Sequence, residues 1–318
     1  MAPLTLLFSS FVFSLALGAP VSTGDSNLGR DLLIAQSFRQ KVAGPEGITK
    51  NWTGGGDVCK LDGFYCEHNP NTGAEAVAGI DLNGFGLYGD HLTLDGFLDK
   101  MTDLTFFHAN SNNFTGSLPK DLTALKWLYE IDLSSNKLSG PFPRSVLDIN
   151  LTFLDLRFNE FSGPIPREVF DLDLDVLFLN DNRFSSGIPD NLGSSPVLYL
   201  TLANNKLSGS IPKSIGSMKH VQEILLLGNA LSGSIPRTWA TQNLTLFDAS
   251  YNRLSGSVPE DLCKLESLEV LNLSDNNLGG SLGPACAALV EKKILDVSNN
   301  CIKGAKDQKP ADQCRSKE

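Results

Sequence analysis

The chain has 318 residues, of which 41% are hydrophobic, and a formal net charge of −10. This length allows one large domain or two small ones, and the hydrophobic share suits a folded protein. The acidic balance disfavours nucleic acid as a partner and favours a basic one, with simple solubility as the alternative explanation.

Residues 1–18 have the features of a secretory signal peptide. Leu4–Leu17 is an apolar run, and Ala16 and Gly18 are small residues at a cleavage position, although Lys and Arg are absent before the run. The alternative, an anchor helix, is disfavoured because the run is short and ends in Gly-Ala-Pro. No later stretch reaches the ~18 apolar residues of a membrane span. We therefore expect a soluble, extracellular mature protein, with residues 19–27 disordered.

Residues 28–76 precede a long repeat region, and we predict that they form its N-terminal cap. Apolar side chains at Leu32, Leu33, Phe38 and Val42 follow a near-helical period, and Gly44-Pro45 ends that helix. A cap is needed because an open end of a repeat array exposes its apolar core.

Residues 77–305 repeat the pattern Leu-x-x-Leu-x-Leu-x-x-Asn-x-Leu-Ser-Gly-x-Ile-Pro every 23 or 24 residues. This period and these residue types predict a leucine-rich-repeat α/β solenoid of about ten repeats, with one parallel sheet on its concave face. We number each repeat from its first leucine. Residues 306–318 would then form a C-terminal cap or tail. The ninth-position asparagines are Asn112, Asn136, Asn159, Asn182, Asn205, Asn229, Asn252, Asn276 and Asn300.

Alternation along the predicted strand assigns positions 1, 4, 6 and 11 to the core and positions 2, 3, 5, 7 and 8 to solvent. The ninth-position asparagines are expected to be structural, because an amide satisfies buried backbone groups where the chain leaves the strand. Ser-Gly-x-Ile-Pro predicts a turn and a second short extended segment. Ser186 stands where most repeats have glycine, which predicts a local deviation, and extra residues in the first repeat predict a bulge over 89–97.

Six cysteines lie only at the two ends of the chain, as expected for disulfides in a secreted protein. Six cysteines pair in fifteen ways, but repeat geometry narrows the choice because Cys263 and Cys286 occupy nearly equivalent places in adjacent repeats. A zinc site is disfavoured by the spacing and by the presence of only four histidines. We predict the pairs Cys59–Cys66, Cys263–Cys286 and Cys301–Cys314.

Glycosylation acceptors of the form Asn-x-Ser/Thr occur five times. Asn272 would lie on the concave face, where a glycan would obstruct the C-terminal end of that face; the alternative is that Asn272 is unmodified. The five acceptors are Asn51, Asn113, Asn150, Asn243 and Asn272.

The middle repeats of the predicted concave face mix aromatic with acidic residues, which favours an interaction site for a basic partner. The alternative is that the aromatic rings only pack along the strands as cross-strand neighbours. The candidate binding residues are Phe106, His108, Glu130, Asp132, Phe153, Asp155, Arg157, Phe158, Phe178, Tyr199, Glu223 and Leu225.

The sequence predicts no enzyme, no cofactor and no metal site. Asp132 and Asp155 lie on neighbouring strands at about the separation of a retaining glycosidase pair, but an aspartate at position 5 recurs as an ordinary strand residue. The run Asp171–Asp175 lacks the glycine and terminal glutamate of an EF-hand calcium loop, so a solvated connector is favoured.

Several segments outside the repeat consensus, over about residues 28–290, resemble the repeat domain of the leucine-rich repeat extensins. They include Asp57-Val-Cys59 with Gly63-Phe-Tyr-Cys66, and Val77-Ala-Gly-Ile-Asp-Leu-Asn83. Further matches are Leu104-Thr-Phe-Phe-His-Ala-Asn-Ser-Asn112, Leu128-Tyr-Glu-Ile-Asp-Leu-Ser134, Phe153-Leu-Asp-Leu-Arg-Phe-Asn-Glu-Phe161 and Asp190-Asn-Leu-Gly-Ser-Ser-Pro-Val197.

The resemblance implies a plant extracellular module that binds small basic secreted peptides in wall-integrity or growth signalling. The sequence ends at Glu318 without the Ser/Pro-rich tail of that family, from which we expect no wall crosslinking through such a tail. The partner is thus expected to be a basic peptide or another extracellular protein. The alternatives are an inhibitor of pathogen wall-degrading enzymes, as in the similar polygalacturonase-inhibiting proteins, and a purely structural wall protein.

Overall fold

A computed structural model describes residues 27–45, 47–52, 56–69 and 71–314. The predicted signal peptide over 1–18, nearly all of the segment 19–27 predicted to be disordered and the last four residues of the predicted C-terminal tail lie outside the described residues.

The main sheet has eleven strands, which follow one another in chain order. The strands that lie between them in the sequence belong to a second sheet. Its first strand, β1, is antiparallel to β2, and every later pair is parallel. The ten strands after β1 supply one strand for each of the ten predicted repeats. The strands are β1 (Phe64–His68), β2 (Glu75–Asp81), β3 (Phe106–His108), β5 (Glu130–Asp132), β7 (Phe153–Asp155), β9 (Val176–Phe178), β11 (Tyr199–Thr201), β13 (Glu223–Leu225), β15 (Leu246–Asp248), β17 (Val270–Asn272) and β19 (Leu295–Asp296).

A second sheet of eight parallel strands lies outside the prediction, which concerned the one parallel sheet of the concave face. It arises from the Leu-Ser-Gly part of each motif, which was expected to be extended but not to pair. Stacking identical repeats brings these segments side by side, so their backbone groups bond to one another. The strands are β4 (Thr115–Gly116), β6 (Lys137–Gly140), β8 (Glu160–Pro164), β10 (Arg183–Ser186), β12 (Lys206–Ser210), β14 (Ala230–Ser234), β16 (Arg253–Gly256) and β18 (Asn277–Leu278).

The chain returns from the second sheet to the main sheet through short helical turns. Proline usually precedes such a turn, and the fixed φ of proline suits a helix start. The 3-10 turns are Lys50–Trp52, Val58–Lys60, Leu98–Lys100, Arg144–Asp148, Arg167–Asp171, Asp190–Ser194 and Lys213–Ser217, and the α-helices are α1 (Leu28–Arg39), α2 (Glu260–Cys263), α3 (Pro284–Glu291) and α4 (Ala311–Cys314). None of the helices within the described residues has the length and apolar character that a membrane crossing requires.

One continuous core runs through all repeats, and the asparagines of position 9 line its edge. Asn159 shows the arrangement: its Nδ2 donates to the carbonyls of Leu133, Leu156 and Arg157 at 2.9–3.2 Å. Its Oδ1 accepts the backbone N–H of Leu138 at 2.9 Å. The equivalent amides bond in the same way from Asn112 to Asn300. The structural role predicted for these residues is confirmed.

The N-terminal cap packs α1 against the first repeat, with a shorter helix than the apolar pattern suggested. Phe38 is buried and stacks on Phe97 with ring centroids 3.9 Å apart. Leu33 is 67% exposed, because it lies on the outer side of the helix. A buried Asp31 and Asp103 both pair with Arg30, at 2.6 and 2.9 Å, which ties the helix to the repeat array.

Three disulfides join Cys59 to Cys66, Cys263 to Cys286 and Cys301 to Cys314, the same pairs that the spacing predicts. The deviation predicted at Ser186 is absent: its φ is 73°, close to the 80° of Gly163 and the 77° of Gly209 at the same repeat position. Serine therefore adopts the glycine conformation of its neighbours, and β10 keeps its pairing with β8 and β12.

Candidate functional site

We call the solvent side of the main sheet, formed by positions 2, 3, 5, 7 and 8 of each repeat, the concave face. The parallel register aligns equivalent positions of successive strands, so each position forms a row along the solenoid. Phe153, for example, is the register partner of Glu130 on one side and of Val176 on the other. Residues far apart in sequence thus become neighbours at about 4.8 Å per strand.

At the N-terminal end of this face, Phe106 lies against a glycine. A Cβ added to Gly79 would come within 2.2 Å of the Phe106 ring, so the missing side chain makes room for it. Tyr65 of β1 lies beside the ring at 5.9 Å, and the His108 ring is 5.0 Å away. His108 Nε2 lies 3.2 Å from Glu130 Oε2. Tyr65 was not among the predicted binding residues, because its place depends on the antiparallel pairing of β1 with β2.

In the middle repeats, Phe153 and Phe178 form an edge-to-face pair with centroids 6.3 Å apart. Both rings are half-buried, and Tyr199 on the next strand donates its hydroxyl to Gln222 Oε1 at 3.0 Å. The cross-strand packing considered as an alternative is therefore present. It also leaves part of each ring open to solvent and fixes the orientation of each ring.

Asp155 does not lie at the surface as predicted. Its side chain is fully buried, because Arg157 and the neighbouring strands cover it. Burial, together with repulsion from Asp132, raises its pKa to about 7, despite the opposing effect of Arg157. Oδ1 accepts the backbone N–H of Arg157 at 3.0 Å, whereas Oδ2 receives no hydrogen bond from any residue that the structure describes.

Asp132 is also buried, contrary to the prediction for position 5. Its Oδ2 accepts from Asn110 Nδ2 at 2.8 Å, and its Oδ1 from the Ser134 backbone N–H at 3.0 Å. These bonds direct both oxygens toward groups of the protein. Asp132 and Asp155 therefore contribute charge to the site without offering free carboxylates on its surface.

Arg157 covers the buried carboxyl group and continues the aromatic cluster. Its Nε lies 2.9 Å from Asp155 Oδ2, in an ion pair whose angle does not satisfy a hydrogen bond. Its guanidinium carbon lies 5.1 Å from the centroid of the Phe178 ring, within the range of a cation–π contact. Phe153, Phe178, Arg157 and Asp155 thus form one fixed cluster.

Further along the face, Glu223 and Leu225 are half-buried, and desolvation raises the pKa of Glu223. The exposed apolar side chains of this face that were not among the predicted binding residues are Tyr129, at position 2, Val270, at position 3, and Tyr251, at position 8. The sequence pattern predicts that these positions face solvent, and their large apolar side chains are indeed exposed there.

The concave face is strongly acidic. Across its five positions the basic side chains are His108, Arg157 and Lys293, and Arg157 is already paired with Asp155. The acidic side chains of the same positions are Asp81, Glu130, Asp132, Asp155, Asp175, Asp181, Glu223, Asp248, Glu269, Asp275 and Asp296.

The predicted glycosylation acceptors differ in their exposure. Asn150 and Asn243 are exposed and lie just before position 1 of their repeats, and Asn51 is exposed in the cap. Asn113 is half-buried. Asn272 donates its Nδ2 to Asp248 Oδ2 at 3.1 Å and accepts from Ser274, so its amide already has partners on the concave face.

Among the residues that the structure describes, there is no group of three or more His, Cys, Asp or Glu side chains that could hold a metal ion. Two open cavities of about 410 and 450 Å³ lie away from the concave face. One is beside Tyr88 and Lys137, and the other is beside Arg237 and Glu260. The concave face is built from the aligned strands of the main sheet, an extended surface that suits a macromolecular partner.

The family described as Leucine Rich Repeat matches residues 150–172, 197–218, 243–265 and 267–289. Leucine-rich repeat extensin-like protein 1 of Arabidopsis thaliana is 39% identical over 104 residues, which cover 32% of this chain and 13% of that protein. The chain thus spans a small part of the length of this relative. These matches show a leucine-rich-repeat domain that is homologous to the repeats of the extensin-like proteins.

Solved structures of plant repeat ectodomains share the fold. The PEPR1–AtPEP1 complex matches with a TM-score of 0.72 and 26% identity, over 86% of this chain and 42% of that chain. The Arabidopsis receptor kinase HAESA, solved with the peptide hormone IDA and the co-receptor SERK1, matches with a TM-score of 0.60 and 29% identity, over 86% and 54%. A plant ice-binding protein matches with a TM-score of 0.64 and 25% identity, over 90% and 97%.

Proposed function

We propose that this chain is a secreted module of the plant extracellular space or cell wall that binds a basic signalling peptide on its concave face. The single observation that carries the proposal is the fixed cluster of Phe153, Phe178 and Arg157 on a strongly acidic surface. The fold is shared with HAESA, whose structure contains a bound peptide hormone.

Charge and shape have different roles in this proposal. The acidic rows attract a basic peptide and increase its association rate, an effect that salt weakens. The half-buried rings then provide apolar contact area whose orientation is already set by packing, so little side-chain entropy is lost on binding. Association should thus depend on salt, whereas dissociation should depend on the aromatic residues.

The test is interferometry with a panel of basic, cysteine-rich secreted plant peptides. Phe178→Ala should weaken binding by about 2 kcal/mol if this ring is a central contact. Tyr88→Ala is a matched control, because Tyr88 is a half-exposed aromatic residue away from the concave face. Equal effects of the two substitutions, or failure of every panel peptide to bind, would contradict the proposal.

A second candidate function is ice binding. The match to the plant ice-binding protein covers nearly the full length of that chain. In addition, the second sheet carries a row of small hydroxyl side chains, one on each strand from β6 to β16, and each serine lies two residues past the register partner of the serine before it. Such a regularly repeated row of hydroxyl groups is suited to an ordered water lattice. The row is formed by Ser139, Ser162, Ser185, Ser208, Ser232 and Ser255.

Ice recrystallisation assays separate this candidate from peptide binding. If ice is the ligand, the wild-type protein should inhibit crystal growth, and Ser208→Lys with Ser232→Lys should abolish the inhibition while leaving peptide binding unchanged. Crystal growth equal to that in a control protein solution would exclude the ice-binding candidate.

A further inference from the structure

Position 8 of every repeat turns the chain off the strand in the left-handed backbone region. Most residues there are small or polar ones that tolerate a positive φ, such as Ser135 (54°), Asn204 (51°) and Gly228 (68°). Phe158 (53°) and Tyr251 (52°) adopt the same conformation with bulky side chains. Both are also largely exposed, at 50% and 56%.

Both aromatic residues have a local cost in the free protein. The left-handed conformation is unfavourable for a bulky side chain, and the exposed ring leaves apolar area in water. Neither ring contacts another aromatic ring among the described residues. Residues with such local costs are concentrated at sites of function.

The two aromatic residues lie on one regular row. Each position-8 N–H donates to the position-7 carbonyl of the next repeat, as from Phe158 to Asn180 at 3.1 Å and from Tyr251 to Ser274 at 3.1 Å. Four repeats separate them, which corresponds to about 19 Å at about 4.8 Å per strand. A fully extended segment of about six residues spans the same distance.

The position-8 residues between Phe158 and Tyr251 include one charged side chain and have little bulk. Asp181 lies next to Phe158, and its two carboxylate oxygens accept from Asn180 and Asn204 at 2.8 and 3.0 Å, which fixes the carboxylate. Gly228 lies next to Tyr251, and the space beside its Cα is filled by the Asn204 side chain, whose Oδ1 would lie 2.3 Å from an added Cβ. Asp181, Asn204 and Gly228 thus define a track with an aromatic residue at each end.

We propose that Phe158 and Tyr251 hold the two ends of one extended segment of the bound peptide, about six residues long, with a basic side chain facing Asp181. The segment carries an apolar side chain at each end. This inference rests on the proposed function, and it names the part of the concave face along which the ligand runs.

The test uses Phe158→Asn and Tyr251→Asn, because Asn204 and Asn299 occupy the same position at φ 51° and 52°. Each substitution should leave the melting temperature unchanged or raise it, and should weaken binding of a panel peptide by about tenfold. Ser135→Asn, at the same position outside the track, is the matched control and should leave binding unchanged.

An alanine scan of the bound peptide gives the second readout. It should find two sensitive apolar positions about six residues apart, with a sensitive Lys or Arg between them. If Phe178→Ala weakens binding while Phe158→Asn and Tyr251→Asn do not, the track is wrong and the proposed function stands. If no basic peptide binds the wild-type protein, both are wrong.

Discussion

Replacement of the buried Asp155 by asparagine tests the account of the aromatic cluster through its pH dependence. In the folded protein the pKa of this carboxyl group is about 7, compared with an ordinary value of 3.8. A raised carboxyl pKa means that the folded state prefers the protonated form. The carboxyl group therefore does not destabilise the folded state below about pH 4. The destabilisation grows as the pH rises and is complete above pH 7.

The size of this destabilisation follows from the difference between the folded and the ordinary pKa values. Each pH unit of that interval is worth about 1.36 kcal/mol, so deprotonation of Asp155 destabilises the fold by up to about 4 kcal/mol above pH 7. Asparagine has nearly the same shape, its Oδ1 accepts the same Arg157 N–H, and it does not titrate. Relative to the wild type, Asp155→Asn should thus gain about 4 kcal/mol of stability between pH 4 and pH 7.5.

Urea unfolding of both proteins at pH 4, 5.5 and 7.5 measures this difference. Other carboxyl groups with raised pKa values, those of Asp31 and Glu223, are present in both proteins and cancel. Asp296→Asn is the matched control, because Asp296 occupies the same repeat position, accepts the equivalent N–H at 2.8 Å and is exposed. A stability difference between Asp155→Asn and wild type that stays constant over this pH range would refute the reasoning.

Three further predictions concern the scaffold. Asn159→Ala removes an amide that satisfies four backbone groups, and the buried groups then lose their partners. It should lower the free energy of unfolding in urea by at least about 1–3 kcal/mol. A smaller loss would contradict the structural role of the position-9 asparagines. Ser186→Gly should raise stability by up to about 1 kcal/mol by calorimetry, because glycine adopts the observed φ of 73° without steric cost; a loss of stability would show that the serine side chain contributes. Replacing Cys263 and Cys286 together by serine should lower the stability to thermal unfolding by about 2–5 kcal/mol. An unchanged melting temperature would show that this disulfide does not stabilise the fold.

The repeat pattern was sufficient to predict the main architecture. The period defines one strand per repeat, and the type of residue at position 9 defines the amide ladder, because both depend on groups that recur in every repeat. The pairing of Cys263 with Cys286 followed for the same reason, since equivalent places in adjacent repeats are neighbours. The second sheet was missed because pairing between the Leu-Ser-Gly segments is a property of the stack and not of one segment.

The candidate site was less predictable, because burial at the concave face depends on particular neighbours. Alternation indicates that position 5 faces solvent, but it does not show that Arg157 covers Asp155. Nor does it show that the Phe106 ring occupies the space left by the missing side chain of Gly79. The turn at position 8 was visible as a sequence position, yet the left-handed backbone of Phe158 required the structure.

Hydroxyl-radical footprinting of a complex with a basic peptide tests the central claim most directly. This method reports the solvent access of individual aromatic side chains. The account predicts that the peptide protects Phe106, Phe153, Phe178 and Tyr199, while Tyr88 stays as reactive as in the free protein. Protection of Tyr88 with unchanged reactivity of the concave-face aromatic residues would contradict it.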